Sequence, residues 1–244
     1  MTRRESDTSA SEPPGGGDDS PPAPAGDPEA LFDALVEEDV LAVGDGGEVG
    51  PTDEFEDTRA IYHDSYLGIG DDEFREAVAE TFGLPDADAA ADLLAERDID
   101  RGEFVCYLAV RSHLDREVAP TDLATMAGMV WETVPDSPVP PALEDVTADP
   151  GSFLADRDRA VVSVWKRFCD PCDALKADLD AVLAAVPEGV AVAGVDGEVA
   201  AEFCRTHGVD AAPRFVAFDG PDSRTVEETD ADGVAAALRT FFDG

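Results

Sequence analysis

The sequence predicts an α/β domain with a mixed central sheet flanked by helices over residues 142–244, preceded by a mostly α-helical domain over residues 27–132. Three observations carry this. From Leu143 onward, short β-branched and aromatic runs alternate with segments whose apolar residues recur every three or four positions, the pattern of strands and helices packed in layers. Before Glu132 the helical spacing dominates almost everywhere. Between the two, residues 133–141 hold Pro135, Pro138, Pro140 and Pro141, the composition of a linker.

In chain order, residues 1–26 are rich in Ser, Pro, Gly, Asp and Glu; they hold too little apolar surface to offset ordering and are predicted to be a disordered tail. Asp27-Pro28 opens a first helix in cap-then-proline order. Val40 to Val49, turning at Gly44-Asp45-Gly46-Gly47, reads as a small hairpin. Thr52 caps a second helix carrying Phe55, Ile61, Tyr62 and Tyr66. A third carries Phe74, Val78 and Phe82 and stops at Gly83, and a fourth follows from Ala87. Asp100 with Glu103 three residues on starts a fifth, and Thr121 starts a sixth. His63, His113 and Cys106 fall in these helices without ligand-spaced companions and read as core or surface residues.

In the second domain, Leu143 to Thr147 is a first strand and Ser152 to Asp156 a short helix. Val161 to Trp165 is a strand buried on both faces, and a helix runs from Pro171 to Val186. Val190 to Val195 is a strand, followed by a helix from Val199 to His207 with Val199 and Phe203 on its apolar face. Phe215 to Phe218 and Thr225-Val226 are paired strands, and Val234 to Phe242 is the last helix.

Charge bounds the partners. The chain has 56 Asp and Glu against 17 Lys and Arg, a formal net charge of -39. Nucleic acid needs a basic footprint and is excluded as a partner. Self-repulsion of this size is screened only at molar ionic strength, so a salt-requiring, halophilic protein is expected. No apolar run approaches the ~20 residues of a spanning helix, so no membrane partner is expected. Met1-Thr2-Arg3-Arg4-Glu5 has no apolar segment after it to make a signal peptide, so the expected location is the cytoplasm, a reducing compartment.

The chemistry concentrates at Trp165-Lys166-Arg167-Phe168-Cys169-Asp170-Pro171-Cys172. Cys169 falls where a strand ends and a helix begins, so unpaired backbone N–H groups and the positive end of the helix dipole face its sulfur and favour thiolate. Asp170 beside it opposes thiolate formation, with Lys166 and Arg167 as the offsetting charges. This segment resembles the thioredoxin family active site: a hydrophobic strand, a Trp, three residues, then Cys-x-Pro-Cys. Trp165, Cys169, Pro171 and Cys172 match it, and Phe168 stands where the family has an aromatic. Downstream, Ala211-Ala212-Pro213 before Arg214-Phe215-Val216 resembles the family's cis-proline loop.

The resemblance implies thiol–disulfide exchange on protein substrates, with Cys169 as nucleophile and Cys172 as resolving thiol. By the same resemblance, Pro213 would lie against the pair and present the backbone of Ala212 to an extended substrate segment, and Trp165 and Phe168 would shape the apolar surround. It implies no cofactor beyond a redox-active Cys169–Cys172 disulfide, and partners that are protein disulfides or dithiols plus a reductase or small-thiol reductant. The chain departs from the family at Asp170, which replaces a glycine, and at Ser163, which replaces a buried acid. Val192 stands near the place of that acid's lysine partner. Two other readings stand beside exchange: a redox-inactive thioredoxin-fold binding module, and a zinc site built from Cys169, Cys172, Cys204 and His207. Against zinc, the second pair falls within a helical pattern.

Overall fold

The computed structural model describes residues 26–243; the predicted tail therefore lies outside the described residues except for Gly26. Helix α1 (Pro28–Glu37) is capped by Asp27, whose side chain accepts from the Glu29 N–H. Strands β1 (Leu41–Val43) and β2 (Val49–Pro51) form the expected antiparallel hairpin. Thr52 caps α2 (Asp53–Tyr66) by accepting from Phe55 N–H at 3.2 Å. Helices α3 (Asp71–Phe82), α4 (Ala87–Arg97), α5 (Arg101–His113) and α6 (Pro120–Trp131) complete this part. Gly83 ends α3 at φ 64°, a left-handed conformation that glycine adopts without a Cβ penalty. Helix α6 begins at Pro120, one residue earlier than the expected Thr121 start, because the proline's fixed φ suits the first helical position.

The core of this part centres on α5, where Phe104 meets Tyr66 and Phe74 edge-to-face at 5.5 and 5.4 Å. Phe55, Val78, Met126 and Val130 are fully buried around it. Ile61, expected to help carry α2, is instead 67% exposed; α2 buries Phe55, Arg59 and His63.

The second part has its own core on each side of a five-stranded sheet of order β3-β5-β4-β6-β7. The strands are β3 (Glu144–Asp145), β4 (Arg159–Trp165), β5 (Ala191–Asp196), β6 (Arg214–Asp219) and β7 (Asp222–Val226). β5 runs parallel to both β3 and β4, and the β4–β6 and β6–β7 pairs are antiparallel, so the sheet is mixed as predicted. Alternation along β4 divides the faces. Val161 and Trp165 join Phe215 and Ala217 against α8 (Asp170–Ala177), α9 (Leu179–Leu183) and α11 (Ala231–Phe242). Ala160, Val162 and Val164 join Ala193, Val195 and Val216 against α7 (Pro150–Ala155) and α10 (Ala201–Thr206).

Two local expectations shift. The single helix from Pro171 to Val186 is broken at Asp178 (φ -112°, ψ 15°). Aspartate holds helix interiors weakly because its side chain competes for backbone groups, and the break lets Leu179 and Val182 pack with α11 residues Val234 and Leu238. Helix α10 starts at Ala201, and Val199 is 68% exposed rather than on an apolar face. The preceding residues are held in a turn: Glu198 N–H donates to the Asp196 carboxylate at 2.9 Å and Ala200 N–H to the Asp196 carbonyl at 2.8 Å.

The proline-rich segment is packed. Val134 and Val139 are buried, and a Cβ on Gly194 of β5 would stand 2.6 Å from Val139 Cγ1, so a glycine is required there for the segment to approach the sheet.

Candidate active site

Strand β4 delivers the site. Its residues from Ala160 to Trp165 are buried, which anchors the strand on both faces up to the last residue before the turn. Trp165 is fully buried, and its Nε1–H donates to Ser163 Oγ at 2.8 Å, while the Ser163 hydroxyl donates to the Ala193 carbonyl at 3.0 Å. Ser163 is thus satisfied in both directions, as a buried hydroxyl must be.

Beyond Trp165 the chain turns sharply, with Phe168 at φ 48°. Cys169 then caps α8, with Pro171 in the first helical turn, and Cys172 N–H donates to Cys169 Sγ at 3.3 Å. Cys169 and Cys172 form a disulfide, with Cα atoms 5.2 Å apart; Cys172 is fully buried and Cys169 half-buried. The sulfur with access to solvent is therefore Cys169, at the positive end of α8. Asp170 in the same turn is exposed. From the other side, the Ala212 carbonyl oxygen lies 3.5 Å from Cys169 Sγ, and the Ala212–Pro213 peptide is cis. Trp165 meets Phe215 edge-on at 6.1 Å beneath. The residues singled out in the sequence, Trp165, Phe168 to Cys172, Ala212 and Pro213, therefore converge on one place.

Sequence reasoning missed the contribution of α2. Arg59 stacks its guanidinium 4.7 Å from the Phe168 ring centroid, and His63 meets the same ring edge-on at 4.9 Å. Arg59 is held by a two-point contact with Glu56, at 3.1 and 2.7 Å; His63 Nε2 lies 3.4 Å from the carboxylate of Glu198, in the turn after β5. Arg167 donates to the carbonyls of Pro135 and Asp136 at 2.7 and 2.6 Å, tying the dithiol turn to the linker. Burial, then the like charge of Arg59, lowers the Arg167 pKa. Burial holds the Asp196 carboxyl above the usual carboxylate range. Nothing in the spacing of Arg59 and His63, four residues apart on a helix with its own apolar core, signals a site more than a hundred residues away. Beside these contacts a cleft of about 500 Å³ opens between Asp53, Glu56 and Arg59 on α2 and Lys166, Asp170 and Lys176 on the other wall. Lys166 and Lys176 are the only lysines of the chain.

The zinc reading is not assembled: no group of three or more His, Cys, Asp or Glu side chains among the described residues is arranged to hold a metal ion. His207 packs between Phe203 and Phe218, at 4.6 and 5.1 Å, and burial lowers its pKa. Burial also raises the Cys204 pKa, and the Cys106 thiol, fully buried and facing the Ala127 carbonyl at 3.5 Å, is pushed up to about 12. Since alkylation proceeds through thiolate, iodoacetamide added to the reduced native protein is expected to label Cys169 first and Cys204 slowly. Cys106 should stay unlabelled until denaturant is added; peptide mass spectrometry reads all three, and early label on Cys106 would show that the α5–α6 contact opens.

Residues 148–242 match the thioredoxin family. No curated protein sequence matches the chain. Among solved structures, mitochondrial thioredoxin 3 of Saccharomyces cerevisiae is 16% identical, with 41% of this chain and 95% of that one covered at a TM-score of 0.37. Thioredoxin from Trypanosoma brucei brucei is 18% identical over 43% and 95%, at 0.37. A mutant thioredoxin from Halobacterium salinarum is 18% identical over 44% and 96%, at 0.34. The C-terminal part of this chain, residues 148–242, is a thioredoxin-family domain.

Proposed function

We propose that the protein is a thiol–disulfide oxidoreductase acting on protein substrates through the Cys169–Cys172 couple. The observation that carries the reading is the half-buried Cys169 sulfur at the N-terminus of α8, bonded to a buried Cys172 and faced by the Ala212 carbonyl. In the reduced enzyme, the Cys169 thiolate attacks one sulfur of a substrate disulfide. The Cys169–substrate bond forms, the substrate S–S bond breaks, and the departing sulfur takes a proton. Cys172 then loses its proton and attacks Cys169 Sγ, which closes Cys169–Cys172 and releases the substrate as a dithiol. Two electrons have passed to the substrate, and an external dithiol or small thiol restores the enzyme.

Pro213 presents the backbone of Ala212, beside Cys169, to an extended substrate segment, and Phe168 shapes the apolar surround. With the Ser163 hydroxyl already engaged on both sides, this position of β4 supplies no group to take the proton of Cys172, which leaves by way of water. The working location is a reducing cytoplasm, in which the dithiol form is maintained. No helix among the described residues is long and apolar enough to cross a membrane.

Equilibration in molar KCl against graded mixtures of oxidised and reduced dithiothreitol, with thiols counted residue by residue after alkylation, tests this. A reversible two-electron couple confined to Cys169 and Cys172 is expected. Cysteines that never re-form the bond would leave the fold as a binding module.

A further inference from the structure

We infer that Arg59 and His63 of the helical part are positioning residues of the dithiol site, acting through Phe168. The inference rests on the thiol–disulfide reading above and concerns what sets that couple. Among the described residues, the buried polar or charged side chains are Arg59, His63, Ser163 and Asp196, with 6, 7, 0 and 8% exposure. Burying such groups is costly unless they are paired, and Arg59 and His63 meet the Asp196 turn at one junction, His63 facing Glu198 two residues after Asp196. Ser163 accepts from Trp165, and Asp196 is the register partner of Trp165 across β4 and β5. Arg59 and His63 reach the same region from α2 and close on Phe168.

Phe168 is where such contacts have a consequence. Its φ of 48° lies in the left-handed region, which crowds the Cβ of an L-residue and persists only when surroundings enforce it. The ring is enforced by a cation stacked at 4.7 Å and an imidazole edge-on at 4.9 Å, each anchored in turn by Glu56 and Glu198. Phe168 immediately precedes Cys169, so holding its backbone fixes the direction in which the Cys169 sulfur leaves the turn. A sulfur held over Cys172 has a high effective concentration toward it, which favours the closed disulfide. Releasing the clamp therefore moves the couple toward the dithiol.

The test uses the full chain in molar KCl and compares wild type, the Arg59→Ala/His63→Ala pair, Phe168→Leu, and the three changes combined. Loss of both ring contacts is expected to shift the equilibrium constant against dithiothreitol about tenfold toward the dithiol. In the Phe168→Leu background the same pair should change it less than about twofold, because the route through the ring is already gone. A role confined to holding the fold would not move a potential in this non-additive way. Should the Ala pair fail to fold by circular dichroism, His63→Gln, which keeps a polar group toward Glu198 without the imidazole ring, reads the clamp alone. An unchanged equilibrium constant in the folded variants, or an equal shift with and without the Phe168 ring, overturns the inference. A wild-type chain with no reversible couple overturns the exchange reading instead.

Discussion

Replacing Cys169 by serine is expected to abolish disulfide reduction, with a fall of about a thousandfold or more, because a hydroxyl at this position is almost wholly protonated at neutral pH and cannot serve as the nucleophile. Replacing Cys172 by serine should act differently. Cys169 would still attack, but the mixed disulfide would have no neighbouring thiol to resolve it, and it would accumulate. The intramolecular step is fast because Cys172 is held one helical turn away, with its N–H donating to Cys169 Sγ; an external thiol must replace an effective concentration well above what solution supplies. Insulin turbidity assays give the rates, and non-reducing electrophoresis of the Cys172→Ser protein incubated with a disulfide substrate gives the adduct. A Cys169→Ser protein that keeps wild-type turnover would move the redox centre elsewhere, and a Cys172→Ser protein that captures nothing would favour the binding module. Neither change should perturb the fold much, since Trp165, Leu175 and Phe215 form the surrounding core and remain in place.

Dilution out of molar salt is expected to unfold the protein from its helical end. The 17 Lys and Arg can pair with at most 17 of the 56 acids one to one, so most carboxylates have no cation to meet. The imbalance is concentrated: residues 1–149 hold 38 Asp and Glu against 8 Arg, whereas residues 150–244 hold 18 acids against 9 bases. The pairs that do form include the short-range Arg59–Glu56, Arg75–Asp72 and Lys176–Asp173, each three residues apart along a helix. Of these, Arg75–Asp72 and Lys176–Asp173 face solvent, and exposed pairs contribute little; Arg59 is buried, and its pair with Glu56 neutralises only one acid. Screening by salt is therefore the main relief, and the Debye length rises from about 3 Å at 1 M to about 10 Å at 0.1 M. A drop in Tm on the order of 10 °C or more is expected over that range, each kcal/mol lost corresponding to roughly 2–4 °C for a chain of this size. Circular dichroism melts at stepped KCl concentrations measure it. Amide exchange should rise first in α2 to α6 and later in β4 and β5. Equal Tm values across the series would remove the salt requirement, and loss of the sheet before the helices would place the weakness in the other half.

What could be read from the chain alone was local. The caps at Asp27, Thr52 and Asp100, the stop at Gly83, the strand at Val161 to Trp165 and the dithiol turn with Pro171 each depend on residues within a few positions of one another, and each forms as expected. Pro213 was legible only because it resembles a known loop, as forty residues of intervening chain carry no signal that Ala212 comes within 3.5 Å of Cys169 Sγ. Tertiary structure alone decided the rest. Periodicity puts Ile61 and Val199 on apolar faces, yet both are exposed, because a helix pattern does not say which stripe another element will cover. It reads Pro171 to Val186 as one helix, whereas packing against α11 accompanies the break at Asp178. Arg59 and His63 pass in the sequence for ordinary helix residues. Their burial against Phe168 follows from how two separately formed cores meet, a relation between surfaces that leaves no spacing in the chain.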